Sequence, residues 1–251
     1  SHSRSVALSS QWLVVRLLPN RQVEFFCDCA VTMRSGGLLL RAGGIRGSTT
    51  TSKHILKGPL TAEARLKDGR RVVLKADNGL VDASDTIATL LTLNRVNGCV
   101  DDVSLKSERM KLRFDEEELV SWALEGAVRF AHKGVRVESA GAVFAQKTMQ
   151  FSGRVHISAR NLTLEADDVS VSQDNGYRVR AEGGVAGRIG EWKVVAQRVL
   201  CLLDNNASKF RKIEAWEARF KRKDGLQVEG EHFVVAGGQV KGEVLLRSGK
   251  E

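Results

Sequence analysis

A chain of 251 residues with 42% hydrophobic and 27% charged side chains carries enough apolar surface to bury a core, which excludes a disordered tail. Two prolines against 24 glycines leave the turns to glycine, as many short strands that reverse tightly require, and argue against a helical protein. The net charge of +9 draws anions of any kind, from lipid phosphates to nucleic acid or acidic partners.

In chain order, Ser1-His2-Ser3 reads as the remnant of an expression tag, so the lack of a signal peptide or anchor in this sequence carries no weight. The first strand-like pattern is Val6, Leu8, Ser10, then Leu13, Val15, Leu17. Cys27 and Cys29 follow, two apart. In a strand they share one face, where a bridge between them has poor geometry, so the cysteines, with Cys99 and Cys201, are expected to be mostly free, buried thiols. Without a CxxC pair or a histidine at zinc spacing, no metal site is expected. A second pattern, Leu38, Leu40, Ala42, Ile45, returns through Leu56, Gly58, Leu60. Up to about residue 70 these units are degenerate: Cys27 stands at a return glycine position and Gly47 at an apolar one.

From Val72 onward the pattern is regular. It reads Val72, Leu74, Ala76, then Gly79, Val81, Ala83; Val103, Leu105, Ser107, then Met110, Leu112, Phe114; Leu162, Leu164, Ala166, then Val169, Val171; and Trp192, Val194, Ala196, then Val199, Cys201, Leu203. Looser copies start at Val135 and Leu226. Eight units result, at steps of 27 to 34 residues. Offsets 0, 2 and 4 follow the period of a strand, and the later offsets continue it with opposite parity. Such a break lets a strand bend at a corner and keep its apolar side inward, so corners are expected after residues 76, 107, 139, 166, 196 and 230. The return segments Val96-x-Gly98-x-Val100, Leu124-x-Gly126-x-Val128 and Phe151-x-Gly153-x-Val155 place a glycine where the returning strand must turn the same corner.

Each unit is therefore a folded-over hairpin, and stacking eight of them gives two facing antiparallel sheets in a V or flattened roll. Sixteen rungs would extend about 75 Å. The expected fold is all-β, elongated, and one continuous domain over residues 1 to 251.

These units resemble the OstA-like repeats of the lipopolysaccharide transport proteins. The likeness rests on Leu162-Thr-Leu-Glu-Ala-Asp-Asp-Val-Ser-Val171 and Val72-Val-Leu-Lys-Ala-Asp-Asn-Gly79, with the returns Leu124-Glu-Gly-Ala-Val128 and Phe151-Ser-Gly-Arg-Val155. It covers residues 70 to 245. The resemblance implies an OstA-like β-jellyroll that carries acyl chains inside and joins related domains, or copies of itself, edge to edge through its end strands. It implies a periplasmic protein, with a tether to the inner membrane as one arrangement, and lipopolysaccharide or another acylated anionic lipid as cargo. The inward positions it assigns to lipid are Leu74, Ala76, Val81, Leu105, Met110, Leu112, Phe114, Val128, Val137, Phe144, Val155, Leu164, Val169 and Val171. Of these, Leu112, Phe114, Phe144 and Val169 are expected to line one wall. The end strands are the stretches around Val6 to Leu17 and Val240 to Leu246.

Catalytic patterns are not found: the histidines are scattered, and no HExxH, GxSxG or P-loop occurs, so no enzyme and no cofactor are expected. The acids at Asp101-Asp102, Asp115 to Glu118 and Asp167-Asp168 read as turn and corner charges. The basic run Lys209, Arg211, Lys212, Arg219, Lys221, Arg222, Lys223 reads as the solvated face of a strand or a lysine-protected edge. One tyrosine and scattered aromatics supply no stacking platform, which argues against nucleic acid. The rival reading is a structural or adhesive β-repeat protein with a fully packed interior that polymerises through its end strands.

Overall fold

The computed structural model describes residues 7–19, 22–35, 37–48, 50–66, 69–82, 88–115, 118–145, 148–160, 162–174, 176–204, 210–236 and 239–242. Among them the chain is all-β, with nineteen strands and no α-helix. No helix among the described residues is long and apolar enough to cross a membrane. The chain divides into two compact units, Ser1–Ala127 and Val128–Glu251.

Unit 1 opens with six short strands: β1 (Ala7–Ser10), β2 (Val14–Leu17), β3 (Val23–Cys27), β4 (Val31–Ser35), β5 (Leu38–Ala42) and β6 (Gly44–Ser48). Their pairings arrange them as three bent strands broken in the middle. β1 pairs with β4 while β2 pairs with β3, and β4 pairs with β5 while β3 pairs with β6. β5 and β6 then lie end to end along one long strand, β7 (Lys53–Arg65), on either side of its corner. From there the strands run unbroken: β8 (Arg71–Asp82), β9 (Ala88–Val100), β10 (Val103–Asp115) and β11 (Glu118–His132), whose residues span the division between the units.

Unit 2 continues with β12 (Val135–Ala145), β13 (Thr148–Ala159), β14 (Leu162–Asp174), β15 (Gly176–Ile189), β16 (Trp192–Leu203), β17 (Phe210–Lys221), β18 (Gln227–Ala236) and β19 (Gln239–Gly242). Each pairs with the next in antiparallel register. Val6, Ala83, Glu116, Glu117, Lys209, Val244 and Leu246, named above as pattern, turn or edge positions, lie outside the described residues.

The corners are visible as breaks in register. The ladder jumps between Lys57 and Leu60, between Glu138 and Gly141, between Ser152 and Val155, between Glu165 and Asp168, and between Glu182 and Val185. Buried parity switches at the same places: in β14, Leu162, Leu164 and Ala166 are buried, then Val169. Residues 76, 139, 166 and 196 stand at these breaks, as do Gly58 and Gly153 on the returning strands.

The backbone gives two kinds of returning corner. At Gly126-Ala127, Gly153-Arg154 and Gly183-Gly184 two consecutive residues take positive φ. In the β13–β14 ladder two residues, Gly153 and Arg154, stand opposite Asp167 alone, which is a bulge with one extra residue. At Arg95 and Glu217 a single residue takes positive φ, and in the ladder to the following strand it faces one skipped residue. Gly98 is not a corner. It sits within the ladder opposite both Leu74 and Leu105, and a Cβ there would collide with the Val73 carbonyl, so close strand packing explains it instead.

Candidate functional site

The candidate site is the inward face of each unit, where same-parity positions from successive strands form rows. In unit 1, Ala62 pairs with Leu74, Leu74 with Gly98 and Gly98 with Leu105, on one arm of the bent strands. Beyond the corner, Val81 pairs with Leu91 and Leu91 with Leu112, while Leu93 pairs with Met110. Leu60 pairs with Ala76 at the corner itself, and the Leu60 side chain reaches toward Gly79 on the other arm. Leu74, Ala76, Val81, Leu105, Met110, Leu112 and Phe114 are all buried, Met110 to 0% exposure.

Unit 2 carries two longer rows. One arm holds Val137, Ile157, Leu164, Gly187, Val194, Phe220 and Val228, each paired to the next. The other holds Ala142, Phe151, Val169, Ala181, Val199, Ala215 and Phe233 in the same manner. Val128, Phe144, Val155, Leu164 and Val169 are buried, while Val137 and Val171 are half-buried. Phe144 and Val169 do not share a row. Phe144 aligns through Met149 with Val171, and Val169 aligns through Phe151 with Ala142, because offset 7 and offset 9 of a unit are two residues apart on one face.

The two arms of unit 2 touch. Phe130 meets Phe151 edge to face with centroids 5.2 Å apart, and Phe220 meets Phe233 at 5.1 Å. Edge-to-face pairs of this kind add about 0.5–1.5 kcal/mol beyond their burial. Between them the rows narrow to Ala181, Ala215 and Gly187. Each fully buried leucine or phenylalanine contributes roughly 1.5–3 kcal/mol over exposure, so a guest in this interior has to replace contacts of that size.

The outward face carries charged residues paired across strands, interspersed with exposed apolar side chains such as Ile55, Val143 and Val195. Glu63 lies between Arg41 (2.8 Å) and Arg71 (2.9 Å), whose hydrogen bonds, Arg71 foremost, hold its carboxyl below the usual range. Lys111 and Arg109 meet Glu125, and Lys212 meets Glu214 at 2.7 Å, which lowers that carboxyl too. Within the basic run, Arg219 pairs with Glu229 and Arg222 with Asp224. These cations are engaged on the outer face as cross-strand and turn partners. At the unit 2 corner the Arg198 guanidinium lies 3.9 Å over the Trp216 ring, and His232 stacks on that ring at 5.0 Å.

All four cysteines are free, with Cys27 and Cys201 buried. Burial pushes the Cys201 thiol up to about 12, so it behaves as a small apolar side chain. Cys27 and Cys29 correct the sequence expectation. They do not lie along one straight strand: β3 ends at Cys27, the chain bends, and the two sulfurs stand 2.9 Å apart. Among the described residues no group of three or more His, Cys, Asp or Glu side chains could hold a metal ion.

No protein-family model matches the chain, and comparison with curated proteins finds no match.

Proposed function

We propose that this protein is a non-enzymatic lipid carrier of the OstA-like kind, whose inward rows take up the acyl chains of lipopolysaccharide or a related anionic lipid. The observation that carries the reading is the uninterrupted apolar row. Seven strands of unit 2 present Val137 through Val228 with no charged side chain among them, on strands whose outer faces are charged. Burial of about 0.8 kcal/mol per methylene makes such a surface a sufficient host for acyl chains, with corners that let the arms part. The fourteen inward residues named from the resemblance are the contacts of this proposal, and the location is the periplasm.

Association through the first edge belongs to the same reading. β1 and β2 each pair on one side only among the described residues, and β2 exposes Val15 and Leu17, the latter to 78%. The last edge, around Val244 and Leu246, lies outside the described residues. A packed structural β-repeat is the second reading, favoured by the Phe130–Phe151 and Phe220–Phe233 contacts that join the arms.

Photo-crosslinking separates the two. A crosslinking residue at Phe144, 8% exposed, should capture lipid in a producing cell, while one at Val143, 48% exposed on the other face, should not. Equal capture at both positions, or none at either, leaves the packed scaffold standing.

A further inference from the structure

The corner that interrupts the second bent strand of unit 1 brings together two nucleophilic side chains that the proposed lipid reading does not use. In an extended strand, side chains two apart project in parallel and their sulfurs stay well separated. Here the bend through Asp28 closes that gap to 2.9 Å, nearer than two non-bonded sulfurs rest and not far above a bonded pair at about 2.05 Å. The Asp28 carboxylate between them is ion-paired with Lys57 Nζ of β7. The pair is also asymmetric. Cys27 is 0% exposed, whereas Cys29 is half-buried, with its sulfur 3.8 Å from the Trp12 carbonyl in the break between β1 and β2.

We propose that Cys27 and Cys29 form a thiol–disulfide exchange site, in which Cys29 is the attacking thiol and Cys27 the resolving one. The Cys29 thiolate attacks one sulfur of an external disulfide RSSR, forming a mixed disulfide and releasing one RS⁻. Cys27 then loses its proton and attacks the Cys29 sulfur, forming the Cys27–Cys29 bond and releasing the second RS⁻. Two thiols are oxidised, one external disulfide is reduced, and two protons leave. The roles follow from access: of the two, Cys29 alone can be reached from solvent, and Cys27 lies within bonding reach of it. The Cys29 thiol also lies below its ordinary range, chiefly through its hydrogen bond with Cys27. The bridge fixes the corner between β3 and β4 and removes the Cys29 S–H that faces the Trp12 carbonyl, so oxidation changes the contact between this corner and the break between β1 and β2.

The test is oxidation of the full chain with graded ratios of oxidised to reduced glutathione, followed by acid quenching, alkylation under denaturing conditions, and intact and peptide mass measurement. The expected product is lighter by two hydrogens, with both missing alkyl groups in the peptide from Gln22 to Arg34, and with Cys99 and Cys201 still alkylated. Cys27→Ser should instead accumulate a stable glutathione adduct on Cys29, and Cys29→Ser should slow modification at Cys27 at least about tenfold. Wild-type chain in which both cysteines stay alkylatable, or hold glutathione without the loss of two hydrogens, overturns the proposal. Should Cys27→Ser fail to fold, the wild-type product and Cys29→Ser decide it alone.

Discussion

The first three bent strands of unit 1 come apart at their corners into β1/β2, β3/β4 and β5/β6, whereas β12 to β18 of unit 2 pass through theirs unbroken. The corners also differ in what they press against. In the early part of the chain main chain nests on main chain: a Cβ on Gly43 would stand 2.6 Å from the Gly58 carbonyl, one on Gly44 2.6 Å from the Cys27 carbonyl, and one on Gly58 would overlap the Asp77 carbonyl. Later corners meet side chains instead, with Gly153 against the Ala140 methyl and Gly183 against the Asp167 carboxylate. Main-chain nesting alone does not break a strand, however, because β7 runs on through the Gly58 corner and its ladder to β8 resumes after a jump between Lys57 and Leu60. Broken and unbroken strands thus share the same antiparallel pairing around a corner, and the early corners are the ones lined by main chain.

The harshest way to break this comparison is Gly58→Val. No side-chain rotation can relieve a clash with the Asp77 carbonyl, so a loss of about 4 kcal/mol or outright failure to fold is expected in chemical denaturation. A stable protein would show that main-chain nesting is not what shapes the early corners. Next come the later glycines. Gly153→Val combines φ of +75° with a methyl 2.8 Å away and should cost about 2–4 kcal/mol. Gly126→Val, at φ +71° against the mobile Glu108 side chain, should cost less, about 1–3 kcal/mol. Midpoints in the reverse order would refute the ranking by neighbour type.

A smaller effect of opposite sign is expected at Glu217, exposed with φ of +48°. Glu217→Gly removes left-handed strain and should raise stability by about 0.5 kcal/mol, after the entropy that glycine adds to the unfolded chain. A lowered thermal midpoint would mean that the single-residue corner holds no strain.

The smallest effect is a pH dependence confined to the early part of unit 1. His54, beside the Phe25 ring at 5.2 Å, has its pKa lowered from 6.5, mainly by burial, against an opposing interaction with the Lys53 backbone. Below 6.5 the unfolded chain takes up a proton that the folded chain resists. Stability present above that pH is therefore lost as pH falls toward the lowered folded value. His54→Leu should flatten this part of a midpoint-against-pH curve; an unchanged slope would assign it to other groups.

Much of this architecture was legible in the sequence, and particular residues show why. The parity break between Ala166 and Val169 marks the corner of β14 because an inward face must stay inward on both sides of a bend. Gly58, Gly126 and Gly153 mark returning corners because the first is crowded and the others hold positive φ. The corners at Arg95 and Glu217 were legible only from their partner strands, at residues 107 and 230, since a single left-handed residue tolerates an ordinary side chain and leaves no glycine to see. Gly98 misled for the converse reason: glycine also serves close packing. Of the candidate site, parity alone placed the inward positions, but their rows depend on register, which put Phe144 beside Val171 rather than Val169. The approach of Cys27 to Cys29 had no signal at all, because nothing in their spacing tells a strand from a bend.

The crease formed by these corners has a mechanical meaning. At each one the residues at the bend, such as Gly153 and Arg154 against Asp167, fall between ladder registers, so pairing on one arm ends before pairing on the other begins. Swinging the arms of a unit apart would rotate the chain about residues that hold no ladder position. Such a hinge works against the Phe220–Phe233 contact and its neighbours, while the ladders on either side turn as stiff plates.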